Sequence, residues 1–182
     1  MSAKPIILSE SVQYLRGSLP TLSRKELEEI LLRMTGARDE NKAWLTYFID
    51  FREDPLLYAE RCTEYIAGLF EEFDARSLAY RAPCSAAFKV ISRYKRFSGN
   101  AQGYCELILA FLEIILNIFP EGGTKPFLKK QAFKATKLLF SGSKKIHPDL
   151  LYDYSIKFNH LKSRFDNEWQ IHLPEFPEYD KI

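Results

Sequence analysis

The sequence predicts an all-α protein, six or seven helices in an antiparallel bundle or a short HEAT-like stack around one central apolar helix. Three observations carry this. Residues 100–119, NAQGYCELILAFLEIILNIF, are apolar on nearly every side from Leu107 onward, with only Glu113 and Asn117 strongly polar. Such a helix belongs inside a core, under other helices. The segments around it repeat apolar residues at helical spacing, and no apolar–polar alternation bounded by turns marks a strand. Hydrophobic residues make up 46% and charged residues 27%, so the chain has the composition to fold and the length to bury a core.

Taken in order, residues 1–22 form a partly helical N-terminal segment, with Glu10–Leu15 as a short helix broken by Gly17-Ser-Leu-Pro20. Ser23-Arg-Lys-Glu26 has the form of a capping box, in which serine and glutamate satisfy each other's backbone amides. Leu27, Ile30, Leu31 and Met34 follow at helical spacing, giving a helix over Ser23–Thr35 that Gly36 closes. Trp44, Leu45, Phe48 and Ile49 mark the next helix, over residues 41–51. Asp54-Pro55 supplies a cap and a first-turn proline. Leu56, Leu57, Cys62, Tyr65, Ile66, Leu69, Phe70 and Phe73 form the stripe behind it.

Pro83 opens a helix whose apolar face is Phe88, Val90, Ile91, Tyr94 and Phe97. Asn100 caps the central helix, and Pro120-Glu-Gly-Gly123 ends it. Pro126–Phe140 follows, then a loop at Ser141-Gly-Ser143. His147-Pro148-Asp149 begins the last long helix, which runs to Trp169. The tail from residue 170 has two prolines and no helical period, so it reads as extended or flexible. One all-helical domain therefore spans residues 23–169. Helix starts recur roughly every 45 residues in pairs, the repeat length of HEAT-like stacks. The segments share no residue pattern, which leaves an irregular bundle equally open.

Leu22–Ile30, LSRKELEEI, and Ala87–Phe97, AFKVISRYKRF, with a short turn and an apolar helix behind the latter, resemble an uncharacterised bacterial all-helical family known only as a domain of unknown function. The resemblance covers about residues 22–119, and the C-terminal third departs from it. It implies an all-α, cytoplasmic protein and supplies neither an activity nor site residues.

Cys62, Cys84 and Cys105 are an odd number at wide spacing, which fits neither a disulfide framework nor a metal knuckle. They read as small buried hydrophobes in a reducing compartment. The opening residues, MSAKPIILSESVQYL, lack the features of a signal peptide. The apolar run Leu107–Leu112 is well short of the ~20 residues of a membrane helix. A cytoplasmic protein with no membrane partner is the expectation.

Net charge is +2, but its distribution is uneven. Residues 81–164 hold 15 lysines and arginines against 5 acids, while residues 1–80 hold 10 against 14. Within the basic segment, Lys89, Arg93 and Arg96 fall at i, i+4 and i+7 and share one helix face, with Lys95 beside it. Lys130, Lys134 and Lys137 repeat the spacing two helices later, near Lys129, Lys144 and Lys145. As neighbours, the two stripes would form a cationic surface for phosphates, without base readout. The plain alternative is a pair of solvated helix faces. No helix-turn-helix, RNA-recognition or zinc-finger pattern accompanies them.

A second candidate is a buried polar stripe on the central helix, Glu106, Glu113 and Asn117. Two carboxylates about 10 Å apart along one face could act in chemistry, though they are too far apart to share a metal ion. The simpler readings make the stripe the solvent-facing line of the helix, or pair it with Lys89 and Arg93. His147, His160 and His172 show no zinc spacing, and His147 reads as a helix-start residue. No GxSxG, P-loop or GxGxxG occurs. No cofactor, metal or catalytic residue is expected. The leading expectation is a non-enzymatic helical interaction module or scaffold with an unknown protein partner. Nucleic-acid or polyanion binding through the basic stripes comes second, and an enzyme using Glu106 and Glu113 third.

Overall fold

Asn100 starts the helix on which most of the fold is built: its Oδ1 accepts from the Gly103 amide at 2.7 Å and caps α6, Ala101–Ile118. A computed structural model describes residues 11–71, 80–119 and 122–177. Eight α-helices and no strand occur among them, so the chain is all-α. Glu10, Phe73, Pro120–Glu121 and residues 178–182, which figure in the sequence reading, lie outside the described residues. The chain groups into two compact units, Met1–Thr46 and Tyr47–Ile182.

The first unit holds α1, Val12–Ser18, α2, Arg24–Ala37, and α3, Asp39–Thr46. Ser23 and Glu26 form the expected capping box, with Ser23 N donating to Glu26 Oε2 at 2.8 Å and Glu26 N to Ser23 Oγ at 3.3 Å. The helix runs through Gly36 to Ala37, and Asn41 Nδ2 donates to the Met34 carbonyl at 2.9 Å. α2 packs against α3, yet none of the three helices contains a buried residue.

The second unit begins with a π-helical turn, Tyr47–Phe51, followed by α4, Pro55–Glu71, and α5, Arg81–Ser98. Asp54 caps α4 as expected, its Oδ1 accepting from Leu57 N at 2.9 Å. Gly99 ends α5 in the left-handed conformation at φ 61°, a position that suits glycine. α6 follows, then α7, Pro126–Ser143, and α8, Pro148–Arg164, which passes into a second π-helical turn, Phe165–Trp169. α6 packs against α4, α5, α7 and α8. Ten of its eighteen residues are buried, among them Leu107, Ile108, Phe111, Leu112 and Ile115. By length and composition this helix could cross a membrane, but the four helices around it account for its apolar surface.

Two expectations change. The loop at Ser141–Ser143 is the last turn of α7, with Gly142 and Ser143 both buried. Gly142 crosses α6 so closely that a Cβ there would lie 2.8 Å from Cys105 Sγ and from Tyr104 Cδ1. The tail, as far as Pro177, has no helix but is held in place. Gln170 turns the chain at φ 51°, Ile171 and Leu173 are buried, and Phe176 meets Phe140 edge-on at 5.5 Å. Trp169 anchors this end, its Nε1 donating to the Phe119 carbonyl at 2.9 Å.

Candidate functional site

α5 buries Pro83, Cys84, Ala87, Phe88, Ile91 and Tyr94, so its opposite side carries the polar residues. On α7, Leu128, Ala132, Ala135 and Leu139 are buried, which turns Lys130, Lys134 and Lys137 outward. Both helices pack on α6, and long side chains reach from one to the other. Lys134 Nζ lies 3.8 Å from the centroid of the Phe88 ring, and the Arg81 guanidinium lies 5.3 Å from that of Phe127. Lys134 over Phe88 and Arg81 over Phe127 thus bridge the two basic helices, each of which turns its own row of cations outward.

The two bridged helices carry no acid of their own. Neither α5 nor α7 contains an aspartate or a glutamate. Lys89, Lys130, Lys134 and Lys137 are exposed, and among the described residues none of them pairs with a carboxylate. Arg96 is exposed and lies 5.2 Å from the Phe97 ring, while Lys95 lies 4.8 Å from that of Tyr104. Arg93 departs from the expected grouping. It is half-buried and leans toward α4, where its charge acts on the Tyr58 phenol, because the i+4 position is rotated from the outward line of Lys89 and Arg96. Burial still pushes Tyr58 well above the ordinary tyrosine range.

Two cations missing from the sequence reading join this end of the molecule. Arg81 precedes Pro83, which hid it behind a helix start placed two residues late. Lys125 lies 5.3 Å from the Tyr80 ring and 5.4 Å from that of Phe119. The available signal was the density of lysine and arginine beside aromatic residues. Contacts of this kind hold the charged groups against the rings.

On α6 the polar line faces another way. Gln102, Glu106, Ala110 and Glu113 form the floor of two shallow grooves, one of about 560 Å³ against α4 and one of about 490 Å³ against α8. The stripe expected to be buried is half-buried at Glu106 and exposed at Glu113 and Asn117. Its partners come from α8 rather than from Lys89 or Arg93, because α8 flanks this line. Tyr154 Oη and Lys157 Nζ each donate to Glu106 Oε1 at 2.9 Å, and an Arg164 guanidinium nitrogen donates to Asn117 Oδ1 at 2.9 Å. Desolvation, then the hydrogen bond to Glu106, raises the Tyr154 pKa far above the tyrosine range, so the phenol keeps its proton. This cluster ties α6 to α8.

The remaining candidates are structural. His147 caps α8, its Nδ1 accepting from Asp149 N at 3.4 Å, as its place before Pro148 implies. Cys62, Cys84 and Cys105 are free and buried. No cluster of three or more histidine, cysteine or acidic side chains able to hold a metal ion occurs among the described residues. No family model, curated protein or solved structure matches the chain, so the resemblance over residues 22–119 brings no residue roles with it.

Proposed function

We propose that the protein binds an extended polyanion through the α5–α7 face. One observation carries this reading: two helices without a single carboxylate, bridged by Lys134 over Phe88, each turn a row of exposed cations outward, in a chain whose net charge is only +2. Cations spread evenly over a surface serve solubility. Cations gathered on one face create a local potential that recruits anions from a distance. A cytoplasmic setting suits the reading.

Salt elution from a heparin resin tests it. The wild-type chain is retained, and Lys130→Glu/Lys134→Glu/Lys137→Glu elutes at distinctly lower salt. Lys25→Glu/Arg38→Glu/Lys42→Glu, which changes net charge equally on exposed positions in the first unit, elutes like the wild type. Equal elution of the two variants would contradict the proposal.

A second reading, a helical protein-interaction module, rests on α2, where Ile30, Leu31 and Met34 recur at helical spacing and are exposed. An apolar helix face open to solvent is a common docking surface. Sedimentation velocity tests self-association: Ile30→Ser/Met34→Ser shifts a dimer to monomer if a second copy covers this face, and a wild-type monomer contradicts that form of the reading.

A further inference from the structure

We infer that the polyanion is double-stranded nucleic acid, held by its phosphate backbones without base readout; this rests on the polyanion reading above. The argument begins with the rings. Lys134 lies over Phe88, Arg96 beside Phe97 and Lys95 over Tyr104, at 3.8, 5.2 and 4.8 Å from the ring centroids. A ring under a cation of its own chain is not an open platform for a base. Proteins that hold single strands depend on such platforms, with aromatic side chains stacking successive bases.

The distribution of apolar side chains points the same way. The exposed large hydrophobic residues lie on α1–α4 and α8 and in the turns between the early helices; none of those described is on α5 or α7. The face therefore offers neither a wedge to insert between base steps nor an apolar anchor for a lipid surface. What it does offer is charge at regular intervals. Lys130, Lys134 and Lys137 step along about 10 Å of helix, and Lys89 and Arg96 cover a similar length on α5. The Lys134–Phe88 and Arg81–Phe127 contacts bring α5 and α7 within side-chain reach of each other, so one elongated polyanion can address cations on both. A duplex presents one phosphate per ~1.7 Å of axis, twice the density of one of its strands, and meets both rows at once. Lysine binds phosphate as a point charge, which positions a duplex but carries no sequence information.

Fluorescence anisotropy on the full chain tests this with four probes: a labelled 20-base-pair DNA of arbitrary sequence, an unrelated DNA of the same length, the matching RNA duplex, and a 20-nucleotide oligothymidine. Vesicles containing phosphatidylserine are run beside them by flotation. The expected result is binding of the two DNA duplexes within about threefold of each other, with oligothymidine at least tenfold weaker and no flotation. The RNA arm distinguishes the duplex sources: tighter binding to RNA assigns the face to A-form backbones, tighter binding to DNA to B-form. Oligothymidine bound as tightly as the duplexes, or vesicle binding in preference to them, overturns the duplex inference while leaving polyanion binding in place. Heparin retention without binding to any nucleic acid does the same. Loss of heparin retention and of all binding at low salt removes both.

Discussion

Lys134 of α7 sets its ammonium 3.8 Å from the centroid of the Phe88 ring in α5. This contact joins two helices that are separated in sequence by the whole of α6. The Phe88 ring is itself nearly buried, 4.9 Å from Phe111 of the central helix, so the cation rests on the edge of the core.

Replacing Lys134 by Met keeps most of the stem and removes the charge over the ring. Lys134→Met is expected to lower stability by about 0.5–1 kcal/mol in urea unfolding. Lys130→Met, on the same exposed line, should change stability by less than about 0.5 kcal/mol. Equal effects would mean that the ring contact contributes nothing.

The tie between α6 and α8 has an inner and an outer part. Tyr154→Phe removes the donor to Glu106 Oε1 and to the Gln102 carbonyl, the latter at 3.3 Å, from a buried position. Its expected cost is about 1.5–3 kcal/mol, the range for a hydrogen bond to a charged group. Lys157→Met breaks a more exposed pair with the same carboxylate and should cost under about 1 kcal/mol. Urea titrations of the two variants rank them.

Glycines differ in what they permit. Gly103 of α6 faces the Tyr94 hydroxyl, which donates to the Pro55 carbonyl at 2.8 Å, and a Cβ there would displace it. Gly103→Ala and Gly142→Ala should each cost about 1–3 kcal/mol by overpacking. Gly68 on α4 meets nothing within 4 Å, so Gly68→Ala should stabilise by about 0.5–1 kcal/mol. Thermal melts of the three variants check the signs.

Alkaline pH should weaken the fold. Burial pushes the Cys62 thiol up to about 11, and those of Cys84 and Cys105 up to about 12, from 9.0. Between those limits the folded chain holds protons that the unfolded chain has released, so stability falls as pH rises above 9. Below pH 9 these groups add no slope. Burial also moves Tyr94 up to about 12 from 10.0, which steepens the loss above pH 10. Melting temperatures measured from pH 8 to 11 test the onset, and in the folded protein a thiol reagent should label none of the three cysteines quickly.

Local chemistry was readable in the sequence. Ser23 and Glu26, Asp54 and Pro55, and Asn100 form the caps that their spacing implies, because each depends only on residues within one turn. The burial of α6 followed from its composition. What depends on packing across the chain was not readable. Periodicity alone placed Arg93 with Lys89 and Arg96, but only the position of α4 shows which flank it takes. Ser141-Gly-Ser143 looks like a loop until Gly142 is seen to be the point where α7 meets Tyr104 and Cys105. The prolines of the tail announced the loss of helix and concealed the anchoring of Ile171, Leu173 and Phe176. The partners of Glu106 and Asn117 came from α8, some fifty residues away, beyond the reach of any local pattern.

The most direct test of the central claim is the salt dependence of duplex binding, measured for the wild-type chain and for Lys130→Glu/Lys134→Glu/Lys137→Glu. About six phosphate contacts predict a slope near −5 in log K against log salt, and charge reversal at the three lysines should flatten it by at least about 2.5. A slope near zero for the wild type, or one that the substitutions leave unchanged, would contradict a polyanion site on the α5–α7 face.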